Sequence, residues 1–259
     1  MGKRIEFLQE FYNKRDTKSK TTMDNHMLLE RYITLHYLNK YIKKDSQIIE
    51  IGAGIRNYSI DLYKKAKEVL AIDIFQENVD ALNKKNIPTL KANVGDIVDL
   101  KNIKDNTFDV VFVNGAMSHL FNDGDRKKAI KETIRICKPN GYIIYNYLTN
   151  TSILVRYGLL KNNLKNCKAK FTKNYSFKNL PQDIYSTYFV NEFKSLFENL
   201  NISHITDIST DGIFEILKEN TNKLSKTDFE IVKEWQLGVC ERTDMLGLAT
   251  HMLSIFQKQ

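Results

Sequence analysis

The sequence predicts an α/β fold with a doubly wound, mostly parallel sheet. Three observations predict it. Strand candidates recur at Ile48–Ile51, Val69–Ile72, Thr89–Asn93, Phe108–Val113 and Tyr142–Leu148, separated by stretches of helical character. That alternation is the plan of a sheet covered by helices on both faces. The run Phe108–Val113 is almost continuously apolar, as a central strand buried on both sides must be. The first run ends in Gly52-Ala53-Gly54, and the second ends in Asp73. Strand, glycine turn, helix, strand and acid make a nucleotide-binding βαβ unit.

The elements follow in order. Residues 1–46 read as a helical cap. Ile5, Leu8, Phe11 and Tyr12 keep a 3–4 spacing; after the polar gap 13–22, so do Met27, Leu28, Tyr32, Leu35, Leu38 and Ile42. Residues 47–150 are the α/β core. Asn57 to Lys67 follows the glycine turn with an imperfect helical pattern, and Asn78 to Lys85 is a short helix. Asp125 to Cys137 is a longer one, ended by the turn Lys138-Pro139-Asn140-Gly141. Residues 151–190 form an inserted lid that is basic and aromatic, without Asp or Glu from 151 to 182. Ile184–Phe189 is expected as a strand returning to the core. Residues 191–259 complete the sheet, with strands at Ile202–Ile208 and His251–Phe256 and an amphipathic helix at Lys226–Glu241.

The glycine unit carries the chemistry. Gly52 and Gly54 can turn sharply and leave bare backbone beside a ligand. Asp73 can accept hydrogen bonds from both hydroxyls of a ribose. Asn57 stands where a dinucleotide fingerprint has its third glycine, and Glu50 precedes the first. A pyrophosphate would be repelled by Glu50; a cationic ligand would not. The stretch EIGAG with its later acid resembles the S-adenosylmethionine (SAM) site of class I methyltransferases. SAM carries a sulfonium and an amino group and no phosphate.

That resemblance implies a class I methyltransferase Rossmann-like sheet with an antiparallel last strand. It assigns Glu50, Gly52, Gly54 and Asp73 to the amino-acid and ribose parts of SAM, with Ala53, Asn57, Tyr58 and Ile74 also beside the cofactor. Asp96 and Ile97 would hold the adenine, and Asn114 and Gly115 would face the methyl group. The leader FYNKRDTKSKTTMDNHMLLERYIT, the sequence Gly115…His119-Leu120 and the closing Cys-Glu-Arg…His segment resemble a bacterial small-molecule subfamily. On that pattern Tyr12 and His26 line the cofactor pocket. His119 is the candidate catalytic residue, since imidazole titrates near neutral pH and can take a proton from a hydroxyl or amine.

Composition bounds the rest. The chain has 259 residues, 42% of them hydrophobic, enough for one substantial core. No apolar run approaches the ~18 residues of a membrane helix, and the start of the chain has no apolar signal region. Cys137, Cys167 and Cys240 have no metal spacing and read as reduced packing residues, so a cytoplasmic protein without a metal is expected. The net charge of +8 is spread over many lysines.

The resulting expectation is a SAM-dependent methyltransferase acting on a small acceptor, anionic or aromatic, with no membrane partner. An RNA methyltransferase using the basic lid and a non-catalytic SAM-binding protein stay open as alternatives. Against the first, NGAM stands where many amino-group nucleic-acid methyltransferases carry Asn/Asp-Pro-Pro-Tyr/Phe. The acceptor atom and the oligomeric state are not legible.

Overall fold

A computed structural model describes residues 2–13, 23–55, 57–180 and 183–259. The polar gap of the leader, 14–22, lies outside the described residues, as do two positions of the lid, 181 and 182. In chain order the elements are α1 (Gly2–Asn13), α2 (Asn25–Tyr41), β1 (Gln47–Ile51), α3 (Ser59–Leu62), β2 (Glu68–Asp73), α4 (Gln76–Asn83) and β3 (Leu90–Val94). There follow β4 (Phe108–Asn114), α5 (Asp123–Ile136), β5 (Cys137–Leu148), α6 (Asn150–Ile153), α7 (Leu164–Ala169) and α8 (Val190–Ser195). The chain closes with β6 (Ile202–Ser209), α9 (Lys218–Thr221), α10 (Lys226–Val239) and β7 (His251–Lys258).

Among the described residues seven strands form one sheet in the order β3-β2-β1-β4-β5-β7-β6. Strands β1 to β5 run parallel, and β7 runs antiparallel to both β5 and β6. Strand order reverses between β1 and β4, and the crevice beyond their C-terminal ends is where such sheets bind ligands.

Alternate residues of each strand point to opposite faces, so a strand covered twice must be apolar throughout. Val111 and Val113 join Ile49, Ile51 and Ile143 in one buried cluster under α5 and Phe193. Val110 and Phe112 join Ile48, Ile144 and Leu253 in the other, under Leu29 and Ile33 of α2.

Three expectations are corrected. Residues 184–189 form no strand; Tyr188 makes only an isolated bridge to Thr149. Both edges of β5 are already occupied, by β4 and β7, so no place in the sheet remains beside it. The helix expected over Asn57–Lys67 is a single turn, Ser59–Leu62. The turn Lys138–Gly141 does not separate α5 from β5; it is a bulge inside β5, with Asn140 at φ 61° and a register shift opposite Phe108–Val110.

Candidate active site

The glycine turn leaves β1 and folds back over the ends of β2 and β4. Gly52 donates its N–H to Ile72 O at 2.8 Å. At φ +83° and with Asn114 O only 2.6 Å from where a Cβ would stand, no other residue fits there. Gly54, at φ +58°, donates its N–H to Asp73 Oδ2 at 2.7 Å. The other carboxylate oxygen, Oδ1, accepts from Phe75 N at 2.9 Å and Asn78 Nδ2 at 3.0 Å. Asp73 is thus held in place beside the glycine turn.

Glu50 is engaged by the protein itself. It is fully buried, and its two oxygens accept four hydrogen bonds. Oε1 takes Tyr58 N and Asn114 Nδ2, each at 3.0 Å; Oε2 takes Ser59 N at 2.7 Å and Ser59 Oγ at 2.5 Å. A carboxylate offers about four acceptor directions, and all are engaged by the protein. Burial pushes its pKa up, and these hydrogen bonds oppose that rise. Glu50 therefore ties β1, the start of α3 and the end of β4 together behind the turn.

Asn57 closes the turn. Its Nδ2 donates to Gly54 O at 3.3 Å, and its carbonyl accepts from Arg31 at 2.9 Å. Asn57 Oδ1 is buried without a hydrogen-bond partner. A buried acceptor left open at a glycine turn calls for a donor from a ligand. The ammonium of SAM is such a donor, so these residues fit SAM. Ala53 is buried in the core, Ile74 is half-buried after β2, and Tyr58 packs edge-on against Phe112 under the Arg31 guanidinium.

Helix α1 reaches the loop after β3 through Arg4. Asp96, after β3, pairs with Arg4 of that helix and accepts from Val98 N. Ile97 is buried in the core cluster below it. Arg4 therefore covers the acid that the sequence assigns to adenine.

The reaction side is a cluster of rings. Asn114 ends β4, and Gly115 turns the chain at φ 70° into a short 3₁₀ turn that carries His119. His119 Nδ1 lies 2.9 Å from Ile184 O. A carbonyl only accepts, so Nδ1 carries the proton and the lone pair sits on Nε2 in the neutral ring. Tyr12 Oη stands 3.1 Å from that nitrogen. Phe75 and Phe11 pack edge-on against Tyr12, and Tyr185 lies at 5.3 Å from the His119 ring. Tyr12 and His119 are thus brought together across 107 positions.

His26 is not part of this cluster. Its Nδ1 meets Asn222 Oδ1 at 2.8 Å and its Nε2 meets Glu215 Oε2 at 3.2 Å. Glu215 also takes Arg156 from the lid at 3.2 Å. His26 therefore joins α2 to the lid and to the segment before α9. The pocket-lining role expected for it has no support in these contacts. Arg4, Phe75 and Asn78 were not singled out from the sequence, since nothing local distinguishes a helix arginine or a loop aromatic from its many equivalents.

Residues 49–145 match the family model described as "Methyltransferase domain". An uncharacterized methyltransferase of Schizosaccharomyces pombe is 30% identical over 119 residues, which are 41% of this chain and 41% of that protein. Phosphoethanolamine N-methyltransferase 1 of Triticum aestivum is 34% identical over 120 residues, 44% of this chain and 23% of that one. The chain thus spans well under half the length of these curated relatives. In fold it is similar to phosphoethanolamine N-methyltransferase 1 of Haemonchus contortus, solved with phosphoethanolamine and S-adenosylhomocysteine, with a TM-score of 0.62 and 16% identity over 99% of this chain and 49% of that one.

Proposed function

We propose that the chain, whose residues 49–145 match a methyltransferase domain model and which has the class I fold, transfers a methyl group from SAM to a small-molecule acceptor. The observation that carries this reading is the placement of the Tyr12–His119 pair at the end of β4, on the sheet edge that bears the glycine turn and Asp73. SAM, when bound, supplies a methyl on a sulfonium that leaves as a neutral thioether. The protein's share is to hold, to exclude water and to move a proton.

Asp73 would hold the ribose end, positioned by the Gly54 amide, and Asn57 Oδ1 would accept from the amino end. The rings of Phe11, Tyr12, Phe75 and Tyr185 exclude water over the reacting atoms. An acceptor hydroxyl or amine becomes more acidic as it is alkylated. Nε2 of His119, which meets the Tyr12 hydroxyl, can take its proton through that hydroxyl, while Ile184 O keeps the ring aligned. The aromatic enclosure under α1 suits a small acceptor better than a polymer. The phosphoethanolamine methyltransferases among the similar proteins support the same class.

Among the described residues no helix is long and apolar enough to cross a membrane. The three cysteines are free and buried, which supports a reducing, cytoplasmic setting. Calorimetry with SAM and S-adenosylhomocysteine on the wild type and Asp73→Ala tests the cofactor half. Binding that is lost in the variant is expected; equal binding by both would remove Asp73 from the site. Isotope transfer from labelled SAM to a panel of small amines, hydroxy acids and phenols tests the acceptor half. Labelling of RNA and of none of these would overturn it.

A further inference from the structure

The lid carries a surface that methyl transfer does not use. Leu154, Leu159, Leu160 and Leu164 are 38%, 57%, 55% and 47% exposed. They lie together. A π-helical stretch, Leu154–Leu159, tucks Gly158 inward, so that a Cβ placed there would meet Leu164 Cδ2 at 3.0 Å and Leu154 Cδ1 at 3.6 Å. Leu159 and Leu160 follow directly at the tip.

Charge of one sign surrounds these side chains. Lys161, Lys165 and Lys168 are exposed. No Asp or Glu occurs from 151 to 182 to neutralise them. Arg156 pairs with Glu215 and Lys170 with Asp183, while Lys173 and Lys178 are exposed as well. The tip thus presents leucines and uncompensated lysines side by side.

We propose that residues 154–168 dock the protein on an anionic lipid surface. Three occupants could meet exposed leucines among lysines, and the chemistry separates them. Single-stranded RNA binds through aromatic stacking platforms; within 154–168 the exposed apolar groups are leucines, Tyr157 lies under Lys161, and the exposed Tyr175 lies outside this stretch. A second copy in a two-fold contact would bring each lysine against its own equivalent. Anionic lipid satisfies both halves: the acyl boundary takes the leucines and the headgroups take the lysines. Docking of this kind requires no membrane-crossing helix. It adds a membrane partner that the sequence reading did not expect. The lid leaves the C-terminal end of β5, at the sheet edge that carries the glycine turn, so docking would hold that edge near the lipid.

The test is co-sedimentation of the full chain with vesicles of phosphatidylcholine alone and of equimolar phosphatidylcholine and phosphatidylglycerol. Binding to the anionic vesicles only, weakened by salt, is expected. Leu159→Ser with Leu160→Ser should reduce it ten-fold or more, and each of Lys161→Gln, Lys165→Gln and Lys168→Gln about five-fold. Unchanged thermal melting of these surface variants would show that the fold is intact. No binding, or equal binding to neutral vesicles, would overturn the proposal whatever the variants do. So would binding indifferent to the leucine pair, a single-stranded oligonucleotide bound in preference to anionic vesicles, or a concentration-dependent dimer abolished by the leucine pair.

Discussion

Replacing Glu50 separates two roles that the sequence could not tell apart. If Glu50 touched SAM directly, Glu50→Gln would weaken binding and leave the fold alone. The structure demands the reverse. In Glu50→Gln the new NH₂ must face either Tyr58 N and Asn114 Nδ2 or Ser59 N and Ser59 Oγ. The second choice costs less, because the Ser59 hydroxyl can rotate to accept. One backbone donor, Ser59 N–H, is then left facing another donor in a fully buried place. An unsatisfied buried donor costs about 1–3 kcal/mol. Glu50→Ala orphans all four donors and opens a cavity, and the loss rises to about 3–5 kcal/mol.

Urea unfolding followed by circular dichroism reads both values, with an unchanged m-value as the sign that only stability has moved. Calorimetry under fully native conditions then reads the affinity for S-adenosylhomocysteine. The expected result is a lower midpoint for Glu50→Gln with affinity within a few-fold of wild type. Wild-type stability together with a large loss of affinity would refute the assignment and return Glu50 to the ligand.

Other predictions concern the reaction side and the far edge of the sheet. His119→Ala should lower the turnover number by about 10²–10⁴ and leave S-adenosylhomocysteine affinity unchanged, as measured by steady-state kinetics and calorimetry; an undiminished turnover number would remove the base. Gly52→Ala combines a positive φ with a Cβ at 2.6 Å from Asn114 O, so a thermal melt should show a loss of at least about 2 kcal/mol. Burial favours the neutral form of His251, but the Glu30 and Asp211 carboxylates outweigh it and raise the pKa to about 9. Its contribution to stability is therefore complete below the unfolded value of about 6.5 and disappears as pH rises through about 9. Urea titrations across that window should slope for the wild type and flatten for His251→Gln; parallel slopes would contradict the assignment.

Much of the fold was legible because its signals are local. Val110 to Val113 are apolar in succession, and only a strand covered on both faces has use for that. The glycine turn was legible because Gly52 and Gly54 fill positions of positive φ. Asp73 was legible because an acid at the end of the second strand of such a unit lies beside the turn. The missing strand at 184–189 shows the limit of the method. Its composition suits a strand, but a strand needs an open sheet edge beside it, and β7 had taken the edge of β5.

The amino-acid sequence by itself determined the order of strands and helices, the buried faces and the glycine cradle. Periodicity and turn chemistry act over a few residues and do not depend on what packs nearby. Only the tertiary structure decided the partner of each polar group. Glu50 received the chain's own amides, Asp96 received Arg4 from 92 positions away, and His26 received Asn222 from 196 positions away. His119 received Tyr12 on one nitrogen and Ile184 O on the other. A hydrogen bond requires atoms within about 3 Å at a favourable angle, and packing alone sets which atoms meet at that range.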